Sequence, residues 1–170
     1  MSQVLQEIFK TSTVIGPKGE KYPIHSYTSE DQCKFLQAII HKTKAQTGVE
    51  IGLAYGISSL AICEALSCQE KPEHHIIDPL QGDWMDIGLL NLEKAGFLKH
   101  VEFYRDYSHV VLPKLLAGGL RADFAYVDTT KVFDILMVDV FYLHKILRVG
   151  AILVLDDCNF PGIRKLARFL

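Results

Sequence analysis

The residues best able to do chemistry gather around one stretch, Glu50-Ile51-Gly52-Leu53-Ala54-Tyr55-Gly56-Ile57-Ser58. Gly52 and Gly56 have no Cβ and can take positive φ, so a ligand can come close to the backbone of this bend. The helix that begins just after it offers free N–H groups and the positive end of its dipole, with Ser58 as a side-chain donor or cap. A helix packed tightly on a strand also needs such a bend, so the glycines alone leave both readings open. Asp78 shifts the balance, because it closes the next apolar run, His74-His75-Ile76-Ile77. An acid at the end of the second strand of a βαβ unit is placed to accept bonds from two ribose hydroxyls. A nucleoside-containing cofactor is the ligand this pattern favours.

The sign of the charge narrows the choice. A nicotinamide dinucleotide needs Gly-x-Gly-x-x-Gly so that its pyrophosphate reaches the helix N-terminus, whereas this bend reads Gly-x-Ala-x-Gly with Glu50 just ahead of it. A carboxylate there repels a pyrophosphate and suits a cation. S-adenosylmethionine, with its ammonium and sulfonium, fits that sign. Residues Glu50 to Ser58 resemble motif I of class I S-adenosylmethionine-dependent methyltransferases, in the small O-methyltransferase-like branch. The resemblance implies transfer of a methyl group to an oxygen of a small-molecule acceptor. It gives Glu50, Gly52, Ala54, Gly56, Ser58 and Asp78 to the cofactor, with Glu50 facing the methionine ammonium directly or through the loop. It also places an acid and a small hydroxyl residue at the adenine, where this chain has Asp106-Tyr107-Ser108 with the acid one position early, so Tyr107 and Ser108 are the residues to look at.

A second constellation follows the fourth strand. Asp128-Thr129-Thr130-Lys131 is similar to the Asp-x-x-Lys element of cation-dependent O-methyltransferases, in which the Asp holds a divalent ion and the Lys deprotonates the acceptor. The same resemblance supplies two further oxygen ligands after strand five, here Asp156 and Asp157, a set suited to Mg²⁺ or another hard cation. The implied roles are Lys131 and Asp128 in catalysis, Asp128 also at the cofactor, and Asp128, Asp156 and Asp157 at a metal. The plainer reading makes Asp128 a cap and Lys131 a solvated helix residue.

These acids need strand ends to stand on. Val49–Ile51, His74–Pro79, His100–Tyr104, Ala122–Asp128 and Ala151–Asp157 read as strands, separated by helical patterns. Strand and helix in alternation give an α/β fold, a doubly wound and mostly parallel Rossmann-like sheet of five strands in the order 3-2-1-4-5, with helices on both faces. Gly52, Asp78, Asp106, Asp128, Asp156 and Asp157 then share the carboxyl-end rim. A hydroxyl-to-acid cap at Thr28–Asp31 opens the first covering helix, with Phe35, Leu36, Ile39 and Ile40 as its apolar face. Trp84, the only tryptophan, sits in the polar loop after Asp78 and either shapes the pocket or anchors the core.

With 170 residues and 49% hydrophobic content the chain can bury a sizeable core. The expected organisation is a helix and irregular lead-in over residues 1–27, then the Rossmann-like domain over 28–170. A net charge of −2 gives no footprint for nucleic acid or an anionic membrane. The absence of a spanning run or signal-peptide pattern leads to a cytoplasmic expectation. The four cysteines form no Cys-x-x-Cys pair, and Cys33 and Cys63, within apolar helical patterns, read as small hydrophobes. The resembled fold continues with an antiparallel pair, strands six and seven, that this sequence lacks after Leu170. Its fifth strand is then an open edge for a homo-oligomer or partner chain. A catalytically silent cofactor-binding or partner-subunit domain of the same fold is the alternative function.

Overall fold

The computed structural model describes the whole chain, Met1–Leu170. In chain order its elements are α1 (Gln3–Thr11), β1 (Thr13–Ile15), β2 (Lys21–Pro23), α2 (Glu30–Thr43), β3 (Thr47–Ile51), α3 (Ile57–Leu66), β4 (Glu73–Ile77), α4 (Ile87–Lys94), β5 (Val101–Tyr104), α5 (Ser108–Ala117), β6 (Ala122–Val127), α6 (Phe133–Ile146), β7 (Leu147–Leu155) and α7 (Pro161–Phe169). The sheet runs β5-β4-β3-β6-β7 with every neighbouring pair parallel, which is the 3-2-1-4-5 order the alternating pattern implies. The chain reverses its direction of travel across the sheet between β3 and β6, so the switch point lies over the bend after β3.

Burial explains the central elements. Every residue of β3 is buried, as a parallel strand covered on both faces requires. Helix α3 is buried at every position except Glu64, so it shows almost no amphipathic pattern. It lies against the sheet and touches α1, α2 and α4. Helix α2 opens on Ser29, whose hydroxyl accepts from Gln32 N at 3.3 Å while Gln32 Oε1 accepts from Ser29 N at 2.8 Å. The capping box therefore sits one residue later than Thr28–Asp31 and uses an amide in place of an acid. Cys33, Leu36 and Ile40 form its buried face, and Phe35 turns outward.

The expected N-terminal helix is present as α1, but residues 11–27 are not irregular throughout. β1 and β2 pair as an antiparallel hairpin. Leu5 and Ile8 of α1 and Val14 of β1 join Leu60, Ala61, Cys63 and Ile76 in one apolar cluster, so the N-terminal segment belongs to the same core as α3. The chain thus has seven strands, two in the hairpin and five in the sheet, and the expectation that it lacks two strands is not supported. β7 starts at Leu147, earlier than the apolar run Ala151–Leu155 suggests, with a register shift against β6 near Ala122–Phe124. It is an edge strand, and Ile152 to Leu155 are only half-buried. No helix is long and apolar enough to cross a membrane.

One buried acid stands apart from this logic. Asp139 of α6 is fully buried, and neither carboxylate oxygen has a hydrogen-bond partner. Burial pushes its carboxyl up to about 6, against the weaker pull of Ser108 and His109. The folded state then favours the neutral acid, and stability falls as pH rises from about 4 to about 6. Asp139→Asn, which removes the charge and keeps the shape, is expected to stabilise the fold by roughly 2–3 kcal/mol at pH 7.5 and by little at pH 4. Urea unfolding at the two pH values measures this, and an equal effect at both would show that ionisation is not the cost.

Candidate functional site

The bend after β3 is held from below. Gly52 has φ +100, and a Cβ there would overlap the carbonyl oxygen of Asp128 at the end of β6. The amides of Leu53 and Ala54 both donate to Asp78 Oδ2, at 3.0 and 3.2 Å. Gln81, itself fully buried, donates to the same oxygen at 3.0 Å and to the Ala54 carbonyl at 2.9 Å. Leu80 N donates to Asp78 Oδ1 at 2.8 Å. A carboxylate oxygen has about two lone pairs, so Oδ2 is saturated and Oδ1 retains capacity for one more donor. Asp78 is therefore first the clamp on the bend, and it can take one ribose hydroxyl rather than the two expected of it.

Glu50 is placed differently from its sequence expectation. It is fully buried and lies behind the bend. Its carboxylate accepts from Ser58 Oγ at 2.5 Å, Ser59 Oγ at 2.6 Å and His74 Nε2 at 2.7 Å. Glu50 presents no surface to the cleft, and of its partners Ser58 is the one that lines it. Because Ser58 gives its proton to Glu50, its oxygen presents lone pairs to the cleft it lines. Gly56 also has a packing role. Its φ is +74, and a Cβ there would press on Gly88 of α4 at 2.9–3.1 Å.

Above the bend lies a cleft of about 700 Å³. Its wall includes Gly52, Ala54, Ser58, Asp78, Tyr107, Ser108, Asp128, Lys131, Asp156 and Asp157, so one concavity gathers every proposed site residue except Glu50 and Gly56. The wall carries the four aspartates against a single lysine. Ser108 is the first residue of α5 and does not cap it; Tyr107 holds the cap position and no side chain serves the first turn. Asp106 spends its Oδ1 on Tyr107 N at 2.8 Å and is not part of the wall. Trp84 does both things open to it, lining the cleft while packing edge-on to Tyr55 at 4.7 Å between centroids.

The acids after β6 and β7 do not converge as metal ligands. Lys131 Nζ lies 2.7 Å from Asp128 Oδ1 and 2.8 Å from Asp157 Oδ2. Asp156 accepts from the Tyr126 hydroxyl and from Gln32 Nε2 at 3.1 Å. No group of three or more His, Cys, Asp or Glu side chains anywhere in the chain is arranged to hold a metal ion. Burial works against the charge on Lys131, but the two carboxylates outweigh it and hold the ammonium above its ordinary pKa. Burial likewise pushes the Asp128 carboxyl up, with Lys131 offsetting it only in part. A lysine so held stands as a donor and a positive charge between the two carboxylates. Gln32, Gln81, Tyr126 and His74 were not singled out by residue type. The capping position of Gln32 and the nearness of Gln81 to Asp78 were the only signals available.

Comparison with known proteins agrees with this geometry. Residues 49–158 match the family model described as Methyltransferase domain, and the chain belongs to that family. Caffeoyl-CoA O-methyltransferase 2 of Petunia hybrida is 33% identical over 107 residues, covering 61% of this chain and 43% of that protein. Tricin synthase 1 of Oryza sativa subsp. japonica is 30% identical over 141 residues, covering 79% and 54%. The chain thus spans about half the length of the curated relatives it matches. The O-methyltransferase from Bacillus cereus, solved in complex with SAH, shares the fold at TM-score 0.77 and 19% identity, over 99% of this chain and 79% of that one. TomG from Streptomyces achromogenes, solved with SAM, gives TM-score 0.73 at 21% identity, over 99% and 76%.

The clamp is testable without any ligand. Asp78→Ala leaves the amides of Leu53 and Ala54 without their acceptor, at about 1–3 kcal/mol for each buried donor. A fall of at least about 2 kcal/mol in unfolding free energy is expected, with faster hydrogen exchange at those two amides. Unchanged exchange there would mean that something other than Asp78 holds the bend.

Proposed function

We propose that this chain transfers a methyl group from S-adenosylmethionine to an oxygen of a small-molecule acceptor. The observation that carries the reading is the Cβ-free bend, clamped by Asp78, forming the floor of an acid-walled cleft at the switch point. The groups left over fit the cofactor. Ser58 offers lone pairs to an ammonium, backed by the Glu50 charge behind it. Asp78 Oδ1 has room for one ribose hydroxyl. Tyr107 and the free first-turn N–H groups of α5 at Ser108 border the space for the adenine. When bound, the cofactor supplies a methyl group made electrophilic by its sulfonium charge, and the excess of carboxylates in the wall favours that charge.

On the acceptor side, Lys131 holds the acceptor oxygen with its remaining N–H, and Asp128 takes the proton through the oxygen that Lys131 leaves free. The raised pKa of Asp128 suits a base better than an ordinary carboxylate would. The bond made is oxygen to carbon and the bond broken is carbon to sulfur, so the acceptor's proton and the sulfonium charge leave the reacting centre together. The name of the Petunia hybrida relative, caffeoyl-CoA O-methyltransferase 2, prints O-methyl transfer, and this supports oxygen as the acceptor atom. A partner chain on the open side of β7 is part of the same reading, since its outer backbone groups have no neighbour in the sheet.

Titration calorimetry with S-adenosylhomocysteine tests the reading. Saturable binding in the micromolar range is expected, weakened about tenfold by Ser58→Ala, a loss of about 1.4 kcal/mol. A folded sample that shows no binding at high micromolar ligand would end the proposal.

A further inference from the structure

The acids after β6 and β7 are arranged around an ammonium that the chain itself supplies. Lys131 Nζ lies within 2.8 Å of one oxygen of Asp128 and one of Asp157. We propose that Lys131 takes the place of a divalent cation here, so that the site orients its acceptor with a protein ammonium and works without a metal. This inference rests on the methyltransferase reading above and concerns only how its acceptor is held.

Three further observations support it. The third carboxylate of the set is committed elsewhere. Asp156 receives the Tyr126 hydroxyl and Gln32 Nε2, and its Oδ1 also accepts Asp157 N at 2.7 Å. Three donors thus already share the roughly four lone pairs of this carboxylate. The lysine is also fixed by its backbone. A Cβ on Gly162, at the start of α7, would overlap the Lys131 carbonyl oxygen, so α7 closes directly on this segment. Lys165 of α7 then lies over the Phe133 ring at 4.3 Å and pins the start of α6 beside it. Finally, the donor count balances. An ammonium has three N–H groups, and two are used by Asp128 and Asp157. One is left for an acceptor oxygen, a role a metal would fill with an open coordination position.

A hard cation can be held by one or two carboxylates with water completing its shell, and here both candidate carboxylates are already joined to the lysine ammonium. Removing the ammonium reverses the situation. Asp128 and Asp157 would then face one point with no positive charge between them, and uptake of a cation would relieve their repulsion.

The experiment uses Mn²⁺ as the probe, with free Mn²⁺ read by electron paramagnetic resonance in the presence and absence of S-adenosylhomocysteine. The wild-type protein is expected to show no saturable uptake up to about millimolar Mn²⁺, whereas Lys131→Met is expected to bind at least about tenfold more tightly. Lys131→Gln serves as the second uncharged variant should the first not fold, and Lys131→Arg should behave as the wild type. Micromolar uptake by the wild type, or no gain in either uncharged variant, overturns the inference. S-adenosylhomocysteine binding on the same samples separates the two claims. Its absence defeats the cofactor reading whatever the Mn²⁺ result, and its presence with wild-type Mn²⁺ uptake defeats only the lysine assignment.

Discussion

The amides of Leu53 and Ala54 both donate to one oxygen of Asp78, and the cleft keeps its floor because of that junction. The bend leaves β3 with backbone donors facing inward, where no strand can pair them. Asp78 arrives at the matching height because β4 runs parallel to β3 with Ile51 opposite Ile77. Sheet register therefore delivers the acceptor to the donors, and the side chain of Gln81 completes the shell. The bend is held in place before any ligand arrives, so little ordering cost remains for binding.

The same fold deals with each of its carboxylates in a different way. Glu50, with no solvent, is surrounded by two hydroxyls and an imidazole. Asp128 and Asp157 share an ammonium, and Asp156 takes a phenol and an amide. Burial and its acidic neighbours push the Tyr126 hydroxyl well up, so it remains a donor to Asp156 at any ordinary pH. Among the buried carboxylates, only Asp139 is left without a hydrogen-bond partner. The wall of the cleft stays negative overall and yet contains no bare pair of like charges.

Much of this was legible from residue types. The strand, bend and helix around Gly52, the acid at Asp78 and the five-strand order all follow from local pattern and from the rule that ligands sit beyond strand carboxyl ends. What stayed hidden depends on registration between distant segments. Glu50 looked like a ligand for a cation because His74 and Ser59 are brought to it only by the pairing of β3 with β4 and the packing of α3. The pairing of Lys131 with Asp157 stayed hidden because the two meet only once β6 and β7 are aligned. The N-terminal hairpin was missed for another reason: strands of three residues, one of them ending in Pro23, carry too little alternation to distinguish from a loop rich in turn residues.

Gly56 and Gly88 meet where the start of α3 crosses α4, and a Cβ on Gly88 would strike the Ala54 carbonyl at 2.6 Å and the Leu53 side chain at 2.7 Å. The crossing is thus a backbone-to-backbone seat with no room for side chains. Residues 79–85 bridge Asp78 to this helix, and their outward side chains are free of the seat. A mutagenesis library meant to reshape the mouth of the cleft can therefore be spread through that bridge, sparing buried Gln81, while positions 56 and 88 are kept as glycine so that the helix carrying the bridge stays where it rests.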